Sequence, residues 1–389
     1  MRILFATPYY YPELKFGGPP KRIHSLSQEL IHRGHDVRVA TTHSEKPRAR
    51  YEQRFDGVPV QYIPWRGKSG RQLPVRVSEL KTMVKAADII HCYGLYNLLC
   101  PLTALFAIRY AKPYLLEPMG MFVPRVASVR WKRLYHAALT GWMARKAAAV
   151  VATSPLELQE LTALGHRVNL VLRRNGVDIQ AFAKLPPKQI MRERWNALPD
   201  ERIVLYLGRI NEKKNLEELI VAFRKTKMKN ALLMIAGPCF ESKYFERLRR
   251  LTDSTEAMPR IQLEGPLYEE DHRGALAAAD LFVLPSLNEN FGNAAAEAVA
   301  AGVPVLLTNT CGIAPLIDRR AGLAVPLGVD SLAEGLKVML DPAQRDLLTA
   351  QREQVKRELS WDEPIRQTEE LYLSIIERSK VESKTPQWN

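Results

Sequence analysis

The chain has 389 residues, of which 46% are apolar and 25% charged, and its formal net charge is +14. This composition is typical of a globular protein with two domains of about 150–200 residues each. It excludes a disordered or fibrous chain, and the positive charge predicts an anionic partner: nucleotide phosphates, lipid head groups or nucleic acid.

No targeting or membrane-spanning segment is expected. The apolar run at the N-terminus is too short for a signal peptide, and the longest apolar segment, residues 95–108, falls short of the roughly 20 residues of a membrane span. The four cysteines lack CxxC spacing, which favours free thiols over disulfides or a metal site. We therefore expect a cytoplasmic protein.

The first elements form a β-α-β unit. Residues 2–7 read as a buried strand, residues 19–34 as an amphipathic helix and residues 37–41 as the next strand. Gly17 and Gly18 lie in the loop before the helix, where ligands collect in open parallel sheets. The pair serves equally well as a plain turn or as a close approach to a ligand.

Two further strands are predicted in the first half. Residues 87–94 carry His91 near their end, and residues 113–121 deliver Glu117 and Met119. His91, Glu117 and Met119 come at or near the ends of buried strands, so all three are expected at the carboxyl edge of the sheet.

A basic segment follows at residues 125–146, and it carries Trp131, Tyr135 and Trp142. Cations beside aromatics are typical of a helix on an anionic membrane surface. The alternative is an ordinary solvated helix whose tryptophans face the core. Nucleic acid is not indicated, since no binding module accompanies the charge.

The first domain is predicted to end with the strands 148–154 and 169–175. A polar segment containing prolines, at about 181–199, suggests an interdomain connection. These features predict domains at 1–183 and 184–361.

The second domain opens with a strand at 203–207, after which Arg209 and Lys214 follow in a loop. Two cations at the carboxyl end of a strand can hold a diphosphate and neutralise its charge as it leaves. Further strand-loop units are predicted at 231–239 and 260–271.

The most informative stretch begins with a buried strand at 281–284 and continues through a polar loop into an alanine-rich helix. At the helix start, the first backbone N–H groups can face phosphate oxygens. These belong to Gly292, Asn293 and Ala294. The flanking carboxylates would repel phosphate and suit sugar hydroxyls better. They are Glu289 and Glu297.

Three motifs together resemble the retaining glycosyltransferases of family 4: Glu-x7-Glu as ENFGNAAAE, GR-x4-K as Arg209 to Lys214, and NGVD at 175–178. The resemblance covers nearly the whole chain and implies an α/β protein of the GT-B fold, with two Rossmann-like domains facing each other across a cleft. It also implies that a C-terminal helix, at 362–380, packs back on the first domain.

The resemblance assigns roles to individual residues. Glu289 would hold the transferred sugar and Glu297 the ribose, while Arg209 and Lys214 would stabilise the departing diphosphate. The full donor set would be Gly17, Gly18, Arg209, Lys214, Leu267, Glu289, Phe291, Gly292, Asn293, Ala294 and Glu297, with Leu267 in a backbone loop that passes the base.

Departures from the family pattern lie mainly in the first domain. Relatives often carry His-x-His-Gly where this chain has His91, Cys92, Tyr93 and Gly94, and a His or Arg in place of Met119. His91, Glu117 and Met119 would be the acceptor or sugar contacts, although Glu117 is equally well interpreted as a structural carboxylate paired with a base. Pro315 replaces a glutamate usual after the second glycine of the family's GG turn.

The implied activity is transfer of a hexose from a nucleotide diphosphate sugar to a hydroxyl of a saccharide, with a lipid-linked saccharide as the expected acceptor, in cell-surface polysaccharide or glycolipid synthesis. The enzyme would be cytoplasmic, with peripheral attachment to the inner face of the membrane as an option. The chain contains no Asp-x-Asp motif, and no cofactor or metal is expected. The alternatives are a nucleotide-sugar epimerase of the same fold and a catalytically silent partner of another transferase.

Overall fold

The computed structural model describes residues 1–13, 18–42, 51–67, 72–75, 77–122, 135, 139–163, 168–253 and 259–382. These residues form two units. The first contains Met1–Asn175 and the chain from Trp361 onward, and the second contains Gly176–Ser360. Among the helices so described, none has the length and apolar character that a membrane crossing requires.

The strands are β1 Arg2–Ala6, β2 Asp36–Thr41, β3 Tyr51–Phe55, β4 Val58–Tyr62, β5 Trp65–Arg66, β6 Leu73–Pro74, β7 Ile89–Tyr93, β8 Tyr114–Glu117, β9 Ala149–Ala152, β10 Leu170–Leu172, β11 Arg202–Leu207, β12 Ala231–Ala236, β13 Arg260–Glu264, β14 Leu281–Leu284, β15 Val305–Thr308 and β16 Gly322–Val325.

The helices are α1 Gly18–His32, α2 Ser78–Ala86, α3 Leu99–Arg109, α4 Gly141–Lys146, α5 Pro155–Ala163, α6 Lys188–Arg194, α7 Leu216–Lys225, α8 Ser242–Thr252, α9 Glu269–Ala278, α10 Asn293–Ala300, α11 Ala314–Ile317, α12 Val329–Leu340, α13 Pro342–Leu348, α14 Arg352–Glu358 and α15 Asp362–Glu382. Short 3-10 turns occur at Gln180–Phe182 and Glu212–Lys214.

The first unit is organised around a sheet of order β10-β9-β8-β7-β1-β2-β4-β3. Its strand pairs are parallel except that β3 runs antiparallel to β4. Alternate residues of β1 face opposite sides, so Leu4 joins one apolar core and Phe5 the other. On the Phe5 side the sheet is covered in part by α15, which contributes Ile365, Tyr372 and Ile375 to that core.

The second unit is a parallel sheet of order β13-β12-β11-β14-β15-β16. Numbered within the unit, this is 3-2-1-4-5-6, the order of a dinucleotide-binding Rossmann fold. The four inner strands, β11, β12, β14 and β15, are buried on both faces, as expected when helices cover both sides of a parallel sheet. Together the two sheets confirm the predicted α/β class with two Rossmann-like domains.

The region predicted as an interdomain connection is structured instead. Residues Val177, Phe182, Met191 and Trp195 are buried in the core of the second unit, and α6 lies within the same stretch. Each buried side chain of this stretch stands alone among polar residues and prolines, so the sequence suggests a linker. The structure begins the second unit at Gly176, earlier than the predicted 184.

Candidate functional site

The strand order of the second unit determines where its site lies. Strands β11 and β14 are hydrogen-bonded neighbours, although two strand-helix units separate them in sequence. The chain leaves these strands toward opposite halves of the sheet, so a crevice opens at their carboxyl ends. The loop after β11 carries Arg209 and Lys214, and the loop after β14 carries Glu289.

Lys214 and Glu289 are brought into direct contact there. The Nζ of Lys214 donates a hydrogen bond to Oε2 of Glu289, and the two side chains are only 16% and 24% exposed. Burial opposes ionisation of this carboxyl, but the positive charges of Lys214, Lys213 and Arg209 outweigh it and hold the pKa of Glu289 below its usual value. The site therefore presents an ionised carboxylate beside cations.

The loop that carries Glu289 is held by the segment after β15. The backbone N–H of Glu289 donates to the carbonyl of Thr310 at 3.2 Å, and its own carbonyl accepts from the N–H of Gly312 at 2.9 Å. The hydroxyls of Thr308 and Thr310 both donate to the carbonyl of Ser286, at 2.7 and 2.6 Å. The two threonines therefore restrain the start of the loop.

Sequence reasoning did not single out Thr308 and Thr310. Threonine at the end of a strand is common, and the sequence alone does not show which carbonyl it meets. The only available signal is their position at the end of β15 and just after it, since β15 neighbours β14.

The same segment places a thiol near Glu289. Burial raises the pKa of Cys311 to about 12, and the nearby Glu289 charge adds to the shift. The thiol stays protonated at neutral pH, which argues against a nucleophilic role.

Glycine is required at the helix start behind this loop. Gly292 has φ +109°, and a Cβ built there would lie 2.9 Å from Cγ2 of Ile313. Phe291 is buried, and its carbonyl accepts from the N–H of Ile313 at 2.8 Å. α10 then begins at Asn293, so the backbone N–H groups of its first turn, including that of Ala294, open on the carboxyl edge of the sheet.

Glu297 lies in the second turn of α10. Its Oε2 is 3.0 Å from Nε2 of His272 on α9, with the two side chains 17% and 20% exposed. His272 was not a predicted site residue. Leu267, in the loop before α9, is buried in the core, so it can offer a ligand only its backbone.

In the first unit, Gly18 is the first residue of α1, and Gly17 lies outside the described residues. Glu117 is fully buried between two guanidinium groups. Arg22 Nη2 lies 2.5 Å from one carboxylate oxygen, and Arg173 Nη2 contacts the other.

His91 belongs to the same buried network. Its Nε2 lies 3.5 Å from Glu117 and its Nδ1 lies 2.7 Å from the hydroxyl of Tyr372. Burial raises the pKa of Glu117, but the two arginines and His91 more than reverse this and lower it to about 2. Burial also lowers the pKa of His91 to about 3.

These contacts correct the interpretation of His91 and Glu117 as acceptor or sugar contacts. Both side chains are at most 1% exposed and contact protein groups, which is the structural alternative for Glu117. The sequence placed both at the carboxyl edge of the sheet but did not reveal that Arg22 and Arg173, distant in sequence, would cover them. Met119 is partly exposed, with φ +56°, and its Cε lies against Gly94.

The basic segment 125–146 lies largely outside the described residues, Trp131 included. Of its described aromatics, Tyr135 is buried and donates a hydrogen bond to the carbonyl of Asn97, and Trp142 packs against the core. Both favour the interpretation that the aromatics face the protein. Arg145 and Lys146 are exposed at the end of α4.

Two family models match the chain. The model described as "Glycosyl transferase 4-like domain" covers residues 17–178, and "Glycosyl transferases group 1" covers residues 187–356.

Similar curated proteins include a GDP-mannose-dependent alpha-mannosyltransferase of Mycobacterium tuberculosis, 26% identical over 93% of each chain. Another is the GDP-mannose:cellobiosyl-diphosphopolyprenol alpha-mannosyltransferase of Xanthomonas oryzae, 28% identical over 64% of this chain and 63% of the relative.

Solved structures with a similar fold include sucrose-phosphate synthase from Thermosynechococcus elongatus, with a TM-score of 0.75, 21% identity and coverage of 97% and 99%. The Anabaena HepE protein in complex with UDP gives a TM-score of 0.76 at 17% identity, with coverage of 96% and 100%.

Proposed function

Because the chain belongs to the glycosyltransferases of the family 4 type, with the GT-B fold, we propose that it moves a hexose from a nucleotide diphosphate sugar to a saccharide hydroxyl with retention of anomeric configuration. The observation that carries this proposal is the Lys214–Glu289 contact at the switch point of the second sheet. The cation suits the diphosphate of such a donor, and the ionised carboxylate suits the hydroxyls of its sugar.

The cations act on the diphosphate. Arg209 and Lys214 lie in the loop after β11, and the N-terminus of α10 opens at the same edge of the sheet. When the donor binds, the Lys214 ammonium exchanges its hydrogen bond to Glu289 for hydrogen bonds to the phosphate oxygens. It then neutralises the charge that develops as the bond between the sugar carbon and the phosphate oxygen breaks.

The carboxylate acts on the sugar. Once Lys214 has turned to the diphosphate, Glu289 accepts hydrogen bonds from hydroxyls of the hexose. In the free site the neighbouring cations hold the pKa of Glu289 below its usual value, so the carboxylate is already ionised when the donor arrives. The acceptor oxygen forms its new bond on the face that the diphosphate leaves, and the acceptor proton goes to the leaving phosphate oxygen. Because Cys311 is buried and protonated, it supplies no nucleophile for a covalent intermediate.

For the acceptor, we propose a lipid-linked saccharide, in synthesis of cell-surface polysaccharide or glycolipid. Support comes from the printed name of the Xanthomonas relative, which specifies a saccharide on diphosphopolyprenol. The positive net charge suits an anionic membrane surface on which such an acceptor sits. The described aromatics of 125–146 face the protein, so this contact would rest on cations such as Arg145 and Lys146.

The test is a transfer assay with uridine, guanosine and adenosine diphosphate hexoses and a saccharide linked to polyprenyl diphosphate. We expect one donor series to give product with wild type, and a loss of at least about a hundredfold with Lys214→Ala. Lys225→Ala, which removes an exposed lysine paired with Asp330, should keep wild-type activity.

Other outcomes separate the alternatives. Conversion of the donor sugar without any acceptor indicates an epimerase. Absence of both donor binding and turnover across the panel indicates the silent partner and contradicts the proposal.

A further inference from the structure

His272 and Glu297 form a pair that the motifs do not account for. His272 is on α9, which follows the loop containing Leu267, and Glu297 is on α10. The two atoms His272 Nε2 and Glu297 Oε2 are 3.0 Å apart, and both side chains are largely buried. Two polar groups from different helices are thus held together at a site shielded from solvent.

The imidazole is under-satisfied where it lies. Within the described part of the chain, its buried Nε2 makes no hydrogen bond of acceptable angle, although it is within ion-pair distance of Glu297. Buried polar atoms without a well-directed partner are uncommon in folded proteins, so this nitrogen requires an explanation.

We propose that His272 is a positioning residue for the donor nucleotide, holding one oxygen of Glu297 so that the other faces the ribose hydroxyls. The inference rests on the proposed function, because it takes Glu297 as the ribose ligand. A glutamate has three rotatable side-chain bonds, and the 3.0 Å approach of His272 Nε2 already limits the rotation of the Glu297 carboxylate. The hydrogen bond between them becomes well directed when the ribose engages the other oxygen. His272 therefore favours ribonucleotides through Glu297 without contacting the phosphates.

The test compares nucleotides with and without ribose hydroxyls. Binding of uridine, guanosine and adenosine diphosphates and of their 2′,3′-dideoxy forms is measured by calorimetry on wild type, His272→Leu, His272→Gln and Glu297→Ala. Glu270→Gln serves as the matched control, because Glu270 is an exposed residue of the same helix.

For the nucleotide that wild type binds best, we expect His272→Leu to weaken the ribose form about tenfold and the dideoxy form less than about twofold. His272→Gln, which keeps an N–H donor, should restore the ribose form to within about threefold of wild type. In the transfer assay the change should appear in the donor KM and leave kcat nearly unchanged.

The proposal is overturned if His272→Leu weakens both forms equally, which is the sign of a purely structural role, or if it weakens neither. Should His272→Leu not fold, the same comparison on His272→Asn, which has a shorter side chain, decides between these outcomes. If wild type prefers the ribose form and only Glu297→Ala abolishes that preference, His272 does not position Glu297, but the proposed donor site is still supported. If wild type binds none of the nucleotides, the proposed function itself fails.

Discussion

Replacing Glu117 by glutamine should destabilise the first unit strongly. The carboxylate lies between Arg22 and Arg173, and its pKa of about 2 compares with about 4.3 for an unperturbed glutamate. A shift of this size corresponds to about 3 kcal/mol. Removing one partner of a buried ion pair typically costs about 3–5 kcal/mol, since the partner charges stay buried. We therefore expect Glu117→Gln to cost about 3–5 kcal/mol.

The pH dependence has a definite sign. Because the pKa of Glu117 is depressed in the folded state, its contribution to stability is full above about pH 4.3 and is lost as the pH falls toward 2. His91 is depressed as well, to about 3, so it takes up a proton more readily when unfolded. The first unit should therefore also lose stability as the pH falls below about 6.5.

The assay is hydrogen exchange of peptides from β7 and β8 in increasing urea, which reports on this unit separately from the other. At pH 7, Glu117→Gln should lower the free energy of unfolding of these strands, whereas Glu52→Gln, an exposed glutamate of β3, should leave it within about 0.5 kcal/mol. Below pH 4 the difference between Glu117→Gln and wild type should shrink. A loss under about 1 kcal/mol at pH 7, or one that does not depend on pH, would refute the ion-pair account.

Three further predictions concern the donor site. Gly292→Ala should cost at least about 2 kcal/mol in thermal unfolding and abolish nucleotide binding, because φ is +109° and the added Cβ meets a side chain. Its control is Gly302→Ala, where φ is +82° and the added Cβ meets open space. That variant should cost only about 1 kcal/mol and keep nucleotide binding. Thr310→Val should lower kcat/KM by roughly tenfold in the transfer assay, because the loop carrying the carboxylate loses a hydrogen bond. Transfer measured with a chelator present should stay within about twofold of the untreated rate, since Arg209 and Lys214 supply the positive charge that a metal ion would otherwise bring; a large loss would point to a metal-assisted donor site.

The parts of the site that could be predicted from sequence are those encoded by short segments. Lys214 follows a buried strand, and Glu289 lies between a strand and a glycine-started helix, so their place at the edge of a sheet could be inferred locally. Whether the strand before Lys214 and the strand before Glu289 are neighbours depends on the strand order, which hydrophobic periodicity does not reveal. The resemblance to a known family supplied that step, and the 3-2-1-4-5-6 order agrees with it.

Long-range contacts were the part that sequence reasoning missed. Glu117 is paired with Arg22 and Arg173, and His91 is hydrogen-bonded to Tyr372 of the C-terminal helix. A carboxylate after a buried strand looks the same in sequence whether it meets a ligand or two guanidinium groups. The buried residues of 177–195 were missed for a similar reason, since isolated apolar side chains among polar ones give no periodic signal.

The proposed function depends above all on Lys214 binding the diphosphate at the switch point of the second sheet. Calorimetric titration of uridine, guanosine and adenosine diphosphates into wild type, Lys214→Ala and Lys225→Ala tests it most directly. We predict that one nucleotide binds wild type and Lys225→Ala alike, and that Lys214→Ala binds it at least about tenfold more weakly, as expected for a lost charge-assisted hydrogen bond. Equal affinity of Lys214→Ala and wild type for that nucleotide would contradict the account.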